Sequence, residues 1–335
     1  MSARHKKLIN QPENIVREML EGFARAYPSI VRLTDAGLIV RAQPKGAGRV
    51  GLVIGNGSGH EPAMIGFVGA GLMDVNVPGE IFSAPGPERI VEGIRLAERG
   101  GGVLLCVSHH AGDRMNAEMA LELCAAEGLS GVEMVLLYDD ISSAPKGQEA
   151  ERRGTAGLFF TWKMLGAYAE TGASLPQCKA LAEKVRDATR TLAVALTPGT
   201  NPISGQVMFA LAEDEIEIGM GVHGEVGQGR QKLQDADATI DAMLPPILAD
   251  LPFRAGDEAL VFINNSGSMT QMELFILYRR VAQRLDAAGI GVYGAWIGAY
   301  ATTQEMAGFA LSLCRVDDEL KRLWDAPARG AYFVR

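Results

Sequence analysis

Cysteine is scarce in this sequence, and its spacing excludes most of the chemistry that thiols support. The four cysteines are Cys106, Cys124, Cys178 and Cys314. No two of them form a C-x-x-C pair of the kind that binds metal or cycles between thiol and disulfide. They are far apart and lie in apolar or helical segments, so we expect them to be reduced core residues.

Basic runs and long apolar runs are also missing. The formal net charge is −8, and no basic run interleaved with aromatic residues is available to neutralise a phosphate backbone, which argues against nucleic acid as a ligand. No segment approaches the roughly 18 uninterrupted apolar residues of a membrane span. The basic residues near the start are not followed by the apolar region of a signal peptide. We therefore expect a cytoplasmic protein with neither nucleic acid nor membrane as a partner.

The sequence also lacks a recognisable nucleotide-binding motif. The sequence contains no G-x-x-x-x-G-K-[ST] loop. Residues 219–224 formally fit G-x-G-x-x-G, but the glycines within 225–229 disfavour the helix whose N-terminus would hold a pyrophosphate. The sequence therefore predicts no nucleotide cofactor bound by this chain itself.

The sequence is rich in glycine and in apolar runs that alternate with amphipathic segments. Of the 335 residues, 47% are hydrophobic, 21% are charged and 40 are glycines, which is typical of a loop-rich α/β protein. Besides the apolar run that starts at residue 49, strands are predicted at 102–107, 132–137, 215–223, 259–263, 291–295 and 309–316. Helices are predicted near 12–27, 88–99, 115–126, 157–169, 175–192, 236–251 and 269–288.

Strands that alternate with helices predict two α/β domains whose mostly parallel or mixed sheets are flanked by helices. The length suits two domains, each with its own core. Turn residues dominate 197–205, which we place near a domain boundary. The predicted domains are residues 1–190, with a glycine-rich loop, and residues 191–335.

The glycine-rich loop at 55–60 is the most informative stretch. An apolar strand leads into Gly55, Gly57 and Gly59, and His60 follows. Glycines let the backbone take positive φ and bring its N–H groups close to a small polar ligand. A loop of this kind at the carboxyl end of a strand is where α/β proteins bind ligands.

Histidines follow several of the predicted strands. His60, His109, His110 and His223, together with Asp113, fall at such positions, but their separations fit no standard metal spacing, so no metal site is predicted. A neutral imidazole there can act as a base, or as a nucleophile toward a carbonyl, and a nearby carboxylate can orient it. The pattern leaves both roles open.

Together these residues resemble the substrate-binding subunit of dihydroxyacetone kinases. The resemblance extends over almost the whole chain. It rests on the stretches KKLIN (6–10), PE (12–13), GSGHEP (57–62), GFVG (66–69), GD (112–113), RRG (152–154), EDE (213–215) and GMGVHGE (219–225).

The resemblance implies a division of labour at the site. His223 would bind the ketone carbonyl of a short hydroxyketone covalently as a hemiaminal. His60 and Asp113 would act on the hydroxyl that is phosphorylated. The glycine loop would hold the substrate's hydroxyls, and the substrate-binding residues would be Gly57, Ser58, Gly59, His60, Ser108, His109, His110, Asp113 and His223.

The resemblance also implies the partners. The chain would form a homodimer and would bind no cofactor itself, because the nucleotide-carrying domain of the family is missing from it. A separate DhaL-type subunit would carry ATP or ADP with Mg²⁺. Dihydroxyacetone, erythrulose or a related ketose would be the substrate, in glycerol and carbohydrate metabolism.

Two departures from the family pattern keep other functions open. The family commonly has a substrate-binding lysine at the position of Ser108, and three glycines where this chain has Gly55, Asn56 and Gly57. One alternative is a ligand-sensing co-activator without kinase activity. Another is an isomerase-like enzyme that uses His109 and His110 as acid and base.

Overall fold

A computed structural model describes residues 6–221, 224–225, 227 and 229–335 of the chain. Its contacts group the chain into two compact units. The first unit consists of residues 8–137, 158–186 and 322–335. The second unit consists of Lys6, Lys7 and the described residues of 138–157 and 187–321.

The first unit is built around a six-stranded mixed sheet. Its helices and strands are, in chain order, α1 (Ile15–Ala26), β1 (Val31–Leu33), β2 (Ile39–Arg41), β3 (Gly51–Ser58), β4 (Val75–Ile81), α2 (Pro87–Ala97), β5 (Val103–Ser108), α3 (Ala111–Ala126), β6 (Val132–Leu137), α4 (Leu158–Glu170) and α5 (Leu175–Asp187). The strand order is β1-β2-β4-β3-β5-β6. The four strands β4, β3, β5 and β6 run parallel, so their carboxyl ends meet at one edge of the sheet.

Apolar side chains of the central strands form the core of the first unit. Val53, Val77 and Leu105 pack with α2 and α3 in one buried cluster. Helix α4 is apolar on nearly every side, and ten of its residues in succession, 158–167, are buried. A helix of that composition belongs in an interior. It stacks Phe159 on Phe67 with ring centroids 4.4 Å apart.

The second unit holds another six-stranded sheet, with strand order β11-β10-β12-β7-β8-β9. Its elements are β7 (Thr189–Thr197), β8 (Glu215–Ile218), β9 (Gly229–Lys232), α6 (Ala236–Asp250), β10 (Glu258–Asn265), α7 (Gln271–Ala287), β11 (Gly291–Gly298) and β12 (Ala307–Val316). Only the pair β10 and β11 is parallel within the described residues. Helices α6 and α7 cover a buried cluster that includes Val194, Val261 and Leu311. Helix α8 (Asp318–Asp325) follows β12.

Two mixed sheets flanked by helices confirm the predicted α/β class. One helix prediction was wrong at its end: the predicted helix 175–192 stops at Asp187, and residues 189–192 begin β7. The β-branched residues there pair with β12, and burial in the sheet outweighs the helical spacing. Within the part of the chain that the structure describes, no helix has the length and apolarity needed to cross a membrane.

The predicted domain division differs from the contact-based units. The prediction placed one boundary between residues 190 and 191, whereas the chain passes between the units several times, at 137/138, 157/158, 186/187 and 321/322 among others. The order of elements along the chain does not predict such passages between units. The division into residues 1–190 and 191–335 stays a prediction.

Candidate active site

The end of β3 places four of the predicted site residues in one tight turn. Gly57 and Ser58 are the last residues of the strand, and the Ser58 hydroxyl donates a hydrogen bond to the carbonyl of Gly79 at 2.7 Å. Gly59 has φ +103°, a conformation that L residues rarely adopt. Its N–H lies 3.0 Å and 3.1 Å from the two carboxylate oxygens of Glu61. His60 follows and is buried, with 7% of its surface exposed.

A short loop after β4, residues 82–85, packs directly against this turn. The Phe82 N–H donates to the carbonyl of Ser58 at 2.8 Å. The rings of His60 and Phe82 have centroids 5.1 Å apart and are tilted by 49°. A Cβ on Gly59 would lie 2.7 Å from Cε1 of Phe82, so only glycine fits there. Phe82 therefore fixes one face of the His60 imidazole.

The second group of predicted site residues lies between β5 and α3. Ser108 ends β5 and is buried. The His109 N–H donates to the carbonyl of Leu137 at 2.9 Å. His110 immediately precedes α3, and Asp113 lies in the first turn of that helix. The positive end of the helix dipole stabilises a carboxylate at such a position.

The two groups lie at the same edge of the first sheet. β3 and β5 are parallel neighbours, with Ile54 opposite Cys106, so the residues that follow each strand emerge side by side. The 82–85 loop contacts the first group and also packs against the N-terminal part of α3, the helix that carries Asp113. The Asn116 side chain on α3 donates to the carbonyl of Pro85 at 2.9 Å, while a Cβ on Gly112 would lie 3.6 Å from that of Ala84.

Burial determines the electrostatics of the turn. The pKa of Glu61 is raised because the carboxyl group is removed from water, and the N–H of Gly59 opposes this by hydrogen bonding to the charged form. Within the described residues, no three His, Cys, Asp or Glu side chains gather as a set that could hold a metal ion.

His223, the predicted covalent anchor, lies outside the described residues. The segments on either side of it belong to the second unit and are held by hydrogen bonds. The Gly219 N–H donates to the carbonyl of Ala193 at 2.7 Å, and its own carbonyl accepts from the Ser142 hydroxyl at 2.9 Å. The Gly227 N–H donates to Oε1 of Glu217 at 2.8 Å.

Phe82 and Asn116 were not predicted as site residues. Residues 78–87 are rich in glycine and proline, which locally indicates loops, and this composition does not reveal that β4 continues to Ile81 and brings Phe82 next to His60. Asn116 lies inside a helix that was predicted from residue 115, and nothing in its sequence neighbourhood indicates a bond to Pro85.

Comparison with known proteins relates the whole chain to one family. A model of the Dak1 domain matches residues 21–332. The dihydroxyacetone-binding subunit of a PTS-dependent dihydroxyacetone kinase from Listeria innocua is 39% identical over 94% of this chain and 95% of its own length. The L-erythrulose kinase of Pectobacterium atrosepticum is 37% identical over 97% of this chain but only 56% of its own length.

The solved structures that superpose on this chain are also named for dihydroxyacetone kinases or their operon. A dihydroxyacetone kinase operon co-activator superposes with a TM-score of 0.89 at 30% identity, covering 95% of this chain and 98% of its own. The dihydroxyacetone kinase of C. freundii, solved with AMP-PNP and Mg²⁺, gives 0.87 at 27% identity, covering 98% of this chain and 61% of its own.

These matches cover nearly the full chain, so they confirm the resemblance to the substrate-binding subunit of dihydroxyacetone kinases. They also confirm an α/β fold of that family. The chain belongs to the Dak1 domain family.

Proposed function

We propose that this chain is the substrate-binding subunit of a kinase that phosphorylates a short hydroxyketone. One observation carries the proposal: the turn with His60, after β3, and the first turn of α3, with Asp113, lie at the same edge of the sheet. The 82–85 loop contacts both His60 and α3 there. An imidazole and a carboxylate brought to one edge are suited to remove the proton of a hydroxyl that attacks a phosphoryl group.

Each predicted site residue has a role in this proposal. His223 adds through an imidazole nitrogen to the ketone carbonyl and forms a hemiaminal, which selects hydroxyketones over polyols that lack a carbonyl. His60 acts as the base toward the reacting hydroxyl, and Asp113 orients it. The remaining substrate-binding residues, Gly57, Ser58, Gly59, Ser108, His109 and His110, line the edge and hold the other hydroxyls.

The phosphoryl group comes from a second protein in this proposal. A separate DhaL-type subunit carries ATP, or a bound ADP that is rephosphorylated, together with Mg²⁺. The Listeria innocua relative is named as PTS-dependent, which supports a donor other than free ATP. The chain works as a homodimer in the cytoplasm, in glycerol and carbohydrate metabolism.

Dihydroxyacetone and four-carbon ketoses are both proposed substrates. Relatives of this chain are named as dihydroxyacetone-binding subunits and as erythrulose kinases, at similar identities of 39% and 37%. Ser108, where the family commonly has lysine, lies buried at the end of β5. Loss of that cation changes recognition of the substrate while leaving His60 and Asp113 in place.

Reconstitution tests the proposal. The purified chain is mixed with nucleotide-carrying subunits of related kinases, a phosphoryl donor, and either dihydroxyacetone or erythrulose, and sugar phosphate is measured by mass spectrometry. We expect product with a hydroxyketone and none with glycerol. The variant His60→Ala should bind ketose but form little product. Absence of product with every partner would count against the kinase.

A co-activator that senses the same ligand is the second candidate. The solved co-activator of a dihydroxyacetone kinase operon has the same fold, with a TM-score of 0.89, and the replacement of the family lysine by Ser108 is compatible with a chain that binds without transferring phosphate. Ketose binding without product in the reconstitution, together with capture of a transcription regulator, would favour it.

A further inference from the structure

Arg153 is a partly buried cation of the RRG stretch to which the proposed chemistry assigns no role. Its Nε donates to Oδ2 of Asp140 at 3.0 Å, and its Nη2 lies 2.8 Å from the same oxygen. The Asp140 side chain is only 5% exposed. Hydrogen bonds between charged groups are stronger than neutral ones and geometrically specific, so Asp140 holds the guanidinium in one orientation.

The backbone of Arg153 is fixed as well. Its N–H donates to the hydroxyl oxygen of Ser143 at 2.9 Å. Its carbonyl accepts from the N–H groups of Asp139 and Asp140, at 3.1 Å each. Because the residue is held at its backbone and at its guanidinium, the side chain projects in a defined direction.

The guanidinium reaches the residues that precede His223 in the second unit. Nη2 donates to the carbonyl of Gly219 at 3.3 Å. A Cβ on Gly221 would lie 2.5 Å from Nη1, so Arg153 occupies the space that a side chain would need there. Arg153 therefore contacts the chain at two positions shortly before His223.

Backbone hydrogen bonds extend this contact to the residues that follow His223. The Gly221 N–H donates to the carbonyl of Glu225 at 3.0 Å, and the Gly224 N–H donates to the carbonyl of Gly221 at 3.1 Å. Gly221 thus joins the two ends of the segment 221–225. A group that fixes Gly221 constrains the chain on both sides of His223.

Ser142 contacts the same groups but cannot replace Arg153. Its Oγ lies 2.9 Å from the carbonyl oxygen of Gly219 and 2.6 Å from Oδ1 of Asp140. A hydroxyl has one proton, so it donates to only one of these acceptors at a time. A guanidinium has five N–H donors in a rigid fork and serves Asp140 and Gly219 together.

We propose that Arg153 is a positioning residue that holds the chain around His223 in the place from which the imidazole captures the ketone. This inference rests on the proposed function. In the capture step a ring nitrogen bonds to the carbonyl carbon, the ring releases its N–H proton and the carbonyl oxygen gains one, so no co-reactant is needed. Because a displacement of about 1 Å can slow such a step about 100-fold, anchoring the chain matters for capture.

Titration of the purified chain with dihydroxyacetone labelled at its carbonyl carbon tests this without any partner subunit. The carbon NMR signal of the tetrahedral carbon reports captured ketose. In Arg153→Ala the affinity for capture should fall about 10- to 100-fold, the scale of hydrogen bonds to a charged group. Arg153→Lys, whose single ammonium cannot lie at both acceptors, should lose about 3- to 10-fold.

Arg152 provides the matched control, because it is the neighbouring arginine and forms an ion pair elsewhere in the second unit. Its Nη1 and Nη2 donate to the two carboxylate oxygens of Asp250 at 2.8 Å and 2.6 Å, and its side chain is 1% exposed. Arg152→Lys breaks this buried pair geometry and should lower the thermal unfolding midpoint. It should leave capture by the folded protein unchanged.

The proposal therefore predicts opposite orders for two quantities. Arg153→Lys keeps a cation beside Asp140, so it should lower the unfolding midpoint less than Arg152→Lys does, yet weaken capture more. Unchanged capture in both Arg153 variants would overturn the inference, as would an equal loss of capture in Arg152→Lys, and the proposed function would stand in either case. Failure of the unaltered protein to bind the ketose would instead overturn the proposed function and this inference together.

Discussion

Asp113 shows at the scale of one residue how the proposed chemistry depends on a charge. Its carboxylate lies in the first turn of α3, and Asn116 on the same helix donates a hydrogen bond to the loop that contacts His60. Asp113→Asn keeps the shape of the side chain but removes the charge that orients a base. Turnover in the reconstituted kinase should fall by roughly two to four orders of magnitude, the scale of lost acid–base assistance.

Ligand capture is the control for that prediction. Asp113→Asn should retain most of the affinity for ketose, and Glu118→Gln, an exposed carboxylate on the same helix, should change neither quantity. If the Asp113 variant unfolded or lost binding altogether, the role of this residue would be structural.

Asp139 leads to a second prediction, on stability and pH. Burial raises the pKa of this carboxyl from 3.8 to about 6, outweighing hydrogen bonds from Thr191 and Thr155 that favour the charged form. The pKa of Asp139 is higher in the folded than in the unfolded protein. The protonated carboxyl therefore contributes fully to the stability of the fold below about pH 4, and this contribution is lost as pH rises through about 6. Two pKa units correspond to about 3 kcal/mol.

Denaturant unfolding of the unaltered protein and of Asp139→Asn, at several pH values from below 4 to above 6, measures this effect. The unfolding free energy of the unaltered protein relative to the variant should fall by about 2 to 3 kcal/mol across that range. Other acids cancel in the difference. A difference that does not vary with pH would show that the burial of Asp139 leaves its proton affinity unchanged.

At the scale of elements, the exit of β3 is held by its contact with the 82–85 loop. Gly59→Ala places a side chain in the left-handed region and 2.7 Å from Phe82. Together these should cost about 2 to 4 kcal/mol in unfolding free energy. Gly48→Ala is the matched control, because Gly48 has φ +77° but nothing within 4 Å of its Cβ position.

Gly48→Ala should lower the unfolding free energy only by the cost of placing an L residue in the left-handed region, about 1 to 2 kcal/mol. Urea titration of both variants measures the difference, which isolates the steric contact between Gly59 and Phe82. Equal losses in the two variants would mean that Phe82 moves aside freely and does not fix the His60 turn.

Elements whose periodicity was strong could be predicted from the sequence, and those defined by distant pairing could not. The apolar runs before His60 and Ser108 are parallel strands, as predicted. The first four residues of β7 were assigned to a predicted helix because the pairing partner of this strand, β12, lies more than 100 residues away. β4 contains Pro78 and Gly79, which indicate a loop locally, yet its pairing with β3 makes these residues part of the sheet.

For a similar reason, only part of the candidate site could be predicted from the sequence. Histidines after strands can be found from the sequence, because the carboxyl ends of parallel strands form ligand sites. The contact of Phe82 with His60 and the bond from Asn116 to Pro85 depend on how separate loops pack. No local pattern encodes either contact.

For the molecule as a whole, the main proposal is that the chain binds a short hydroxyketone and that His223 captures its carbonyl. Membership of the Dak1 domain family supports the first part. The second part requires a chemical change at the carbonyl carbon when the ketose binds, because a hemiaminal carbon is tetrahedral. A polyol such as glycerol cannot undergo that change.

Carbon NMR of the protein with dihydroxyacetone labelled at its carbonyl carbon measures this change directly. We predict that the bound signal moves from the carbonyl region to the region of tetrahedral carbons, and that His223→Ala, with its fold intact, does not show the shifted signal. Ketose that binds the unaltered protein and keeps its carbonyl signal would contradict covalent capture, and absence of any bound ketose would contradict both parts of the proposal.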